Sequence, residues 1–187
     1  KENNSRLHLM GLLSDGGVHS NIKHLFALLK LAKRYKVKCF IHCFLDGRDV
    51  PQRSALSYIQ RLEKKIKRFK IGEIATLTGR YYAMDRDKRW HREKKAYDAI
   101  VNGKGGFYSD AKTAIQESYN KGISDEFFNP VILNKEGLVK ADDGLIFFNF
   151  RSDRARQITK AFVENNFKDF KRKKVNNLHF SSLTQYS

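Results

Sequence analysis

The chain has 187 residues, 41% of them hydrophobic, which suits one domain with a substantial core. No apolar run approaches the roughly 20 residues needed to span a bilayer, and the polar opening residues 1–6 do not read as a signal peptide. Lys plus Arg number 37 against 20 for Asp plus Glu, and the net charge of +17 leaves three partner classes open: nucleic acid, an acidic membrane surface or a small anion.

The chain opens without Met and enters its first strand almost at once, so it is expected to be an excised part of a longer protein. Residues 7–13 form a compact apolar run, followed by the glycine-bearing loop 14–20. Ile22, Leu25, Phe26, Leu29 and Ala32 have helical spacing, with Ser20 or Asn21 as N-cap. Residues 37–45 read as a second strand, ending at Asp46-Gly-Arg-Asp49. Pro51 and Ser54 open a second helix whose buried side is Ile59, Leu62, Ile66 and Phe69. Its Lys64–Lys70 run is the solvated side of that helix and carries no base-stacking aromatic.

A third strand is expected over 71–77 and helices over about 90–102 and 110–120. Residues 127–133 read as an edge strand because Pro130 lacks the donor a central strand needs, and 134–144 as a polar turn or hairpin. The apolar run 145–150 then feeds a helix through Ala155, Ile158, Ala161 and Phe162, which puts Arg151 and Arg154 on its first turn. The tail from Asn165 is charged, most densely at 171–174, and ends in a strand-like piece over 178–183. Repeated strand–helix alternation predicts a single α/β domain, a three-layer α/β/α sandwich around a mostly parallel, doubly wound sheet.

Cys39 and Cys43 share one side of a strand about 13 Å apart, beyond the roughly 7 Å a disulfide allows, so they read as free thiols of a reducing compartment, the cytoplasm. His8 and His42 read as core histidines satisfied by backbone, and no His, Cys and carboxylate set has zinc spacing. Each of four strands runs into a polar loop: Asp15, Gly16, Gly17 and His19 after the first, Asp46, Arg48 and Asp49 after the second. Arg80, Asp85, Arg86 and Asp87 follow the third, and Arg151, Asp153 and Arg154 the fourth. Parallel strands put all four loops on one edge of the sheet. Lys outnumbers Arg over the chain, yet these loops use Arg almost exclusively, and a planar guanidinium fork suits carboxylate and phosphate. The pattern predicts an anion site.

Four segments carry a resemblance: Leu-Leu-Ser-Asp-Gly-Gly-Val-His-Ser at 12–20, Phe-Leu-Asp-Gly-Arg-Asp-Val at 44–50, Thr-Gly-Arg-Tyr-Tyr-Ala-Met-Asp-Arg-Asp-Lys-Arg-Trp at 78–90, and Phe-Asn-Phe-Arg-Ser-Asp-Arg-Ala-Arg-Gln at 148–157. In this order they resemble the cofactor-independent (2,3-bisphosphoglycerate-independent) phosphoglycerate mutase family, and specifically its inserted substrate-binding (transferase) domain. The resemblance implies an isomerase of glycolysis and gluconeogenesis that interconverts 3-phosphoglycerate and 2-phosphoglycerate through a phosphoserine. That serine, and two divalent metals that are usually manganese, belong to an alkaline-phosphatase-like domain not recognisable here. No metal is therefore expected on this chain, and the chain alone is expected to be inactive. The family's substrate residues fall on His19, Arg48, Asp49, Arg80, Arg86, Arg151 and Arg154, with Asp49 as the catalytic candidate for proton exchange with the glycerate hydroxyls. The implied partners are the two phosphoglycerates and the phosphatase-like domain of a monomer, with no specific nucleic acid and no membrane. Two departures stand out: residues 34–37 lack an expected glycine, and 50–55 differ from a Gly-Pro-Gln-Thr-like turn. The alternatives are a basic nucleic-acid-binding module and a stand-alone anion-binding domain.

Overall fold

The structure, a computed structural model, describes residues 5–186. Strand β1 (Leu7–Leu12) leads to helix α1 (Ile22–Tyr35), β2 (Cys39–Leu45), α2 (Ala55–Phe69) and β3 (Glu73–Gly79). The short α3 (Arg80–Ala83) and α4 (Trp90–Asn102) follow, then β4 (Gly106–Phe107), α5 (Ala111–Asn120) and β5 (Val131–Ile132). The chain closes with β6 (Gly144–Phe147), α6 (Arg156–Val163) and β7 (His179–Ser182).

The sheet order is β4-β5-β3-β2-β1-β6-β7, and only β5 pairs antiparallel, with β3. β2 is buried at all seven positions, as a central parallel strand covered on both faces must be. Alternation along the strands divides the core. Leu9, Ile41, Cys43 and Leu77 pack under α1, α2 and α5, while Met10, Leu12, Phe44 and Phe147 pack under α4 and α6. The sandwich is therefore the three-layer α/β/α arrangement the sequence predicts. Winding runs from β1 through β2 to β3 on one side and reaches β6 and β7 on the other, so β1 and β6 flank the switch point where open α/β sheets bind ligands.

Some local expectations are corrected. The strand over 127–133 shrinks to two residues and is not the edge, because β4 pairs outside it through Gly106 N to Pro130 O and Tyr108 N to Ile132 O. Residues 134–144 form no hairpin; a 3-10 turn, Lys135–Gly137, leads into β6. Helix α6 begins at Arg156, so Arg151 and Arg154 precede it. The intervening segment is held by long-range bonds: Asn149 Oδ1 accepts from Leu12 N at 2.9 Å, and Phe150 N donates to His19 O at 2.8 Å.

His8 and His42 are satisfied by side chains rather than backbone. Asp143 Oδ2 lies 3.0 Å from His8 Nε2, His8 Nδ1 lies 3.0 Å from His42 Nε2, and His42 Nδ1 lies 2.9 Å from Thr76 Oγ1. Arg6 closes the outer end by pairing with Asp143. Cys39 and Cys43 are buried and free, and burial pushes the Cys39 thiol up to about 12. Among the described residues no helix is long and apolar enough to cross a membrane.

Candidate functional site

After β1 the chain folds back over the sheet edge. Ile22 N donates to Ser14 O and Ser20 Oγ to Leu12 O, which turns His19 inward until it is 3% exposed. After β2 the turn depends on Gly47, at φ +66, where a side chain would meet Glu126 N at 2.9 Å. At the end of β3, a Cβ on Gly79 would lie 2.4 Å from Glu126 O. These two close approaches seat the 3-10 turn Asp125–Phe127 against the strand ends and bring Glu126 to the arginines.

Asp46 organises this corner. Its Oδ1 accepts from Arg48 N at 3.1 Å, Asp49 N at 2.9 Å and Arg80 Nη1 at 2.7 Å, and its Oδ2 accepts from Ser14 Oγ at 2.7 Å. Arg80, also 3% exposed, has its Nη1 between Asp46 and Asp49 Oδ2, the latter 2.8 Å away. Arg48 reaches toward solvent, with Nη1 3.4 Å from Glu126 Oε1. Arg154 is half-buried and donates from Nη1 to Met84 O at 3.0 Å. Among the described residues it forms no ion pair with a carboxylate. Burial, and after it the charges of Arg86, Arg80 and Arg48, pushes its guanidinium pKa down.

Arg48, Arg80 and Arg154 line one crevice of about 270 Å³, together with Tyr81, Glu126 and Phe127. His19, Arg86 and Arg151 gather beside it on a different carboxylate, Asp153. Arg86 Nη1 and Arg151 Nε each lie 3.0 Å from Asp153, and His19 Nδ1 lies 3.7 Å away. Charge joins the two groups. Burial foremost, then the Arg80 charge, pushes His19 down to about 4, against the opposing pull of Asp49 and Asp153. Burial raises the Asp153 carboxyl, but its Arg86 hydrogen bond and the Arg151 charge outweigh that and hold it low. The structure thus brings all seven predicted residues to one end of the sheet, three in the crevice and three on Asp153, with Asp49 against Arg80.

Asp46 and Asp153 were visible in the loops but not as the organisers of the arginines, although Asp-Gly-Arg-Asp is the signature of a carboxylate capping its own turn. Glu126 had no signal, since it arrives from a remote loop. Among the described residues no group of three or more His, Cys, Asp or Glu side chains could hold a metal ion. The donor set is instead one of guanidinium and imidazole nitrogens, which binds anions.

Three comparisons bear on this arrangement. The family model described as BPG-independent PGAM N-terminus matches residues 1–187. A 2,3-bisphosphoglycerate-independent phosphoglycerate mutase of Acetivibrio thermocellus is 53% identical over 192 residues, covering 100% of this chain and 38% of the relative. Its counterpart in Staphylococcus saprophyticus is 51% identical over 190 residues, covering 100% of this chain and 37% of the relative. The chain therefore spans little more than a third of the length of these curated relatives. Among solved structures, Leishmania mexicana phosphoglycerate mutase at low cobalt concentration matches with a TM-score of 0.92 and 31% identity, over 97% of this chain and 36% of that one.

Proposed function

The chain belongs to the family of BPG-independent phosphoglycerate mutase N-termini, and from that premise we propose that it is the glycerate-binding and glycerate-orienting domain of a cofactor-independent phosphoglycerate mutase. In this reading the phosphoryl group leaves the 3-oxygen of 3-phosphoglycerate for a serine on a separate phosphatase-like domain. It returns from that serine to the 2-oxygen after the glycerate has turned. The present residues bind and orient. Arg48, Arg80 and Arg154 would grip the carboxylate and phosphate of a multiply charged ligand, which is catalysis by positioning and charge balance. Asp49 would exchange protons with the glycerate oxygens, supplying one to the alkoxide left when the phosphoryl group departs and recovering one from the hydroxyl that attacks the phosphoserine. His19, its proton affinity lowered to about 4, is neutral near pH 7 and would hydrogen-bond the ligand rather than add charge. Divalent metals, manganese by the resemblance, are assigned to the phosphatase-like domain, so no step here runs through them. The reading places a monomeric protein in the cytoplasm, in glycolysis and gluconeogenesis; the two buried free thiols support the compartment.

The observation that carries the proposal is Arg154. It is a half-buried cation with no carboxylate partner among the described residues, and it shares a crevice with Arg48, Arg80, Arg89 and Arg92. Titration calorimetry with 3-phosphoglycerate tests it. Arg154→Ala should weaken binding by about tenfold or more while leaving the unfolding midpoint near wild type, because a charge-assisted contact contributes roughly 1.5–3 kcal/mol. Equal binding by the variant and the wild type would remove the crevice from the reading.

A further inference from the structure

Asp153 has three donors around it and hydrogen-bonds only one of them. Its Oδ2 accepts from Arg86 Nη1 at 3.0 Å, while its Oδ1 lies 3.0 Å from Arg151 Nε and 3.7 Å from His19 Nδ1. Both Asp153 Oδ1 and His19 Nδ1 are buried without a hydrogen-bond partner. His19 is itself 3% exposed, so its idle nitrogen is aimed into the cluster and not at water. The three donors come from three different loops of the carboxyl edge. As it is placed, the carboxylate hydrogen-bonds Arg86 alone and does not satisfy all three donors at once. A phosphate monoester presents three oxygens on a tetrahedron and could satisfy them.

We propose that Asp153 is a built-in substitute for the ligand's phosphate: its carboxylate neutralises Arg86 and Arg151 in the ligand-free chain, and a phosphate monoester displaces it. This rests on the reading of the site as a phosphoglycerate site. Both guanidiniums are about half exposed, at 46% and 48%, and Asp153 is 28% exposed, so a ligand can reach the group from solvent. Binding is then an exchange of anions. The ligand gains only the difference between its own phosphate and a carboxylate already in place, which keeps the grip loose enough for a glycerate that must turn. A residue that only braces the arginines would have the opposite consequence, since its loss would leave them misplaced.

The test is calorimetry on the chain at constant ionic strength, with inorganic phosphate and 3-phosphoglycerate as probes. Asp153→Asn keeps the shape and removes the charge. It should bind both probes about tenfold tighter, because the competing anion has gone. Asp142→Asn makes the same charge change on an exposed aspartate at the opposite end of β6, and should tighten binding by no more than about threefold. In the wild type, the Asp153 side-chain carboxyl carbon should shift in its NMR spectrum as phosphate is added. Equal or weaker binding by Asp153→Asn, with the wild type binding normally, overturns the substitute and leaves the site reading standing. A gain no larger than that of Asp142→Asn also overturns it. Absence of binding in the wild type and in both variants overturns the site reading and the substitute together.

Discussion

His8, His42 and His19 are all buried and all held below the ordinary histidine range, with desolvation the largest cause in each. The unfolded chain protonates these rings near pH 6.5, whereas the folded chain does so only at lower pH. Unfolding therefore takes up protons below about 6.5, and stability must fall as pH falls through that window. Glu93 works against them. It is fully buried and raised well above its ordinary value, so it is protonated when folded and releases its proton on unfolding. Three rings against one carboxyl leave a net uptake of up to two protons, or up to about 2.7 kcal/mol per pH unit. Urea unfolding at about pH 7.5 and again at about pH 5.5 should show the lower midpoint at the lower pH. A flat or rising midpoint on acidification would mean these rings already carry protons in the folded state.

Both long amphipathic helices on one face of the sheet end on a lysine in the left-handed region, Lys36 at φ 52 after α1 and Lys70 at φ 54 after α2. That conformation is open to glycine at no steric cost and penalises residues with a Cβ. The glycine missing from residues 34–37 is thus missing at a position built for one. Lys36→Gly should stabilise the fold by about 0.5–1 kcal/mol, seen as a higher melting temperature at pH 7.5 or so. A lower melting temperature would show that the lysine stem contributes more than its backbone costs. The long elements were legible because their apolar residues keep one period for many turns. β4 and β5 were not, since two residues have no period and pair only because distant backbone meets them. The start of α6 was illegible for a related reason: Asn149 and Phe150 answer to Leu12 and His19, not to their neighbours in sequence.

At the scale of the whole molecule, the site was legible because every parallel strand delivers its following loop to the same edge, so three Arg-bearing loops and the loop of His19 had to converge. Which carboxylate meets which guanidinium was not legible. Arg80 lies on Asp46 and Asp49 while Arg86 lies on Asp153, and such choices depend on side-chain directions that loop sequence does not encode. Because the chain covers little more than a third of its relatives, we expect no mutase turnover from it alone. A coupled assay with 3-phosphoglycerate and manganese checks this, and clear turnover from a pure, metal-replete sample would sink the division of labour proposed above.

The side-chain relay from Thr76 to Asp143 has a sense of direction. An ionised carboxylate can only accept, so His8 must present its Nε2–H to Asp143 and leave its Nδ1 bare. That bare nitrogen obliges His42 to donate from Nε2, which in turn leaves His42 Nδ1 to accept from the Thr76 hydroxyl. One carboxylate thereby dictates the tautomer of two rings and the rotor of a hydroxyl on three neighbouring strands. A proton placed on Asp143 would free all three choices at once. Burial alone would raise the Asp143 carboxyl, but hydrogen bonds from His8, Arg6 and the Lys140 N–H hold it well below the ordinary carboxylate range. The middle of the sheet is in this respect a one-way wire, grounded at the ion pair with Arg6.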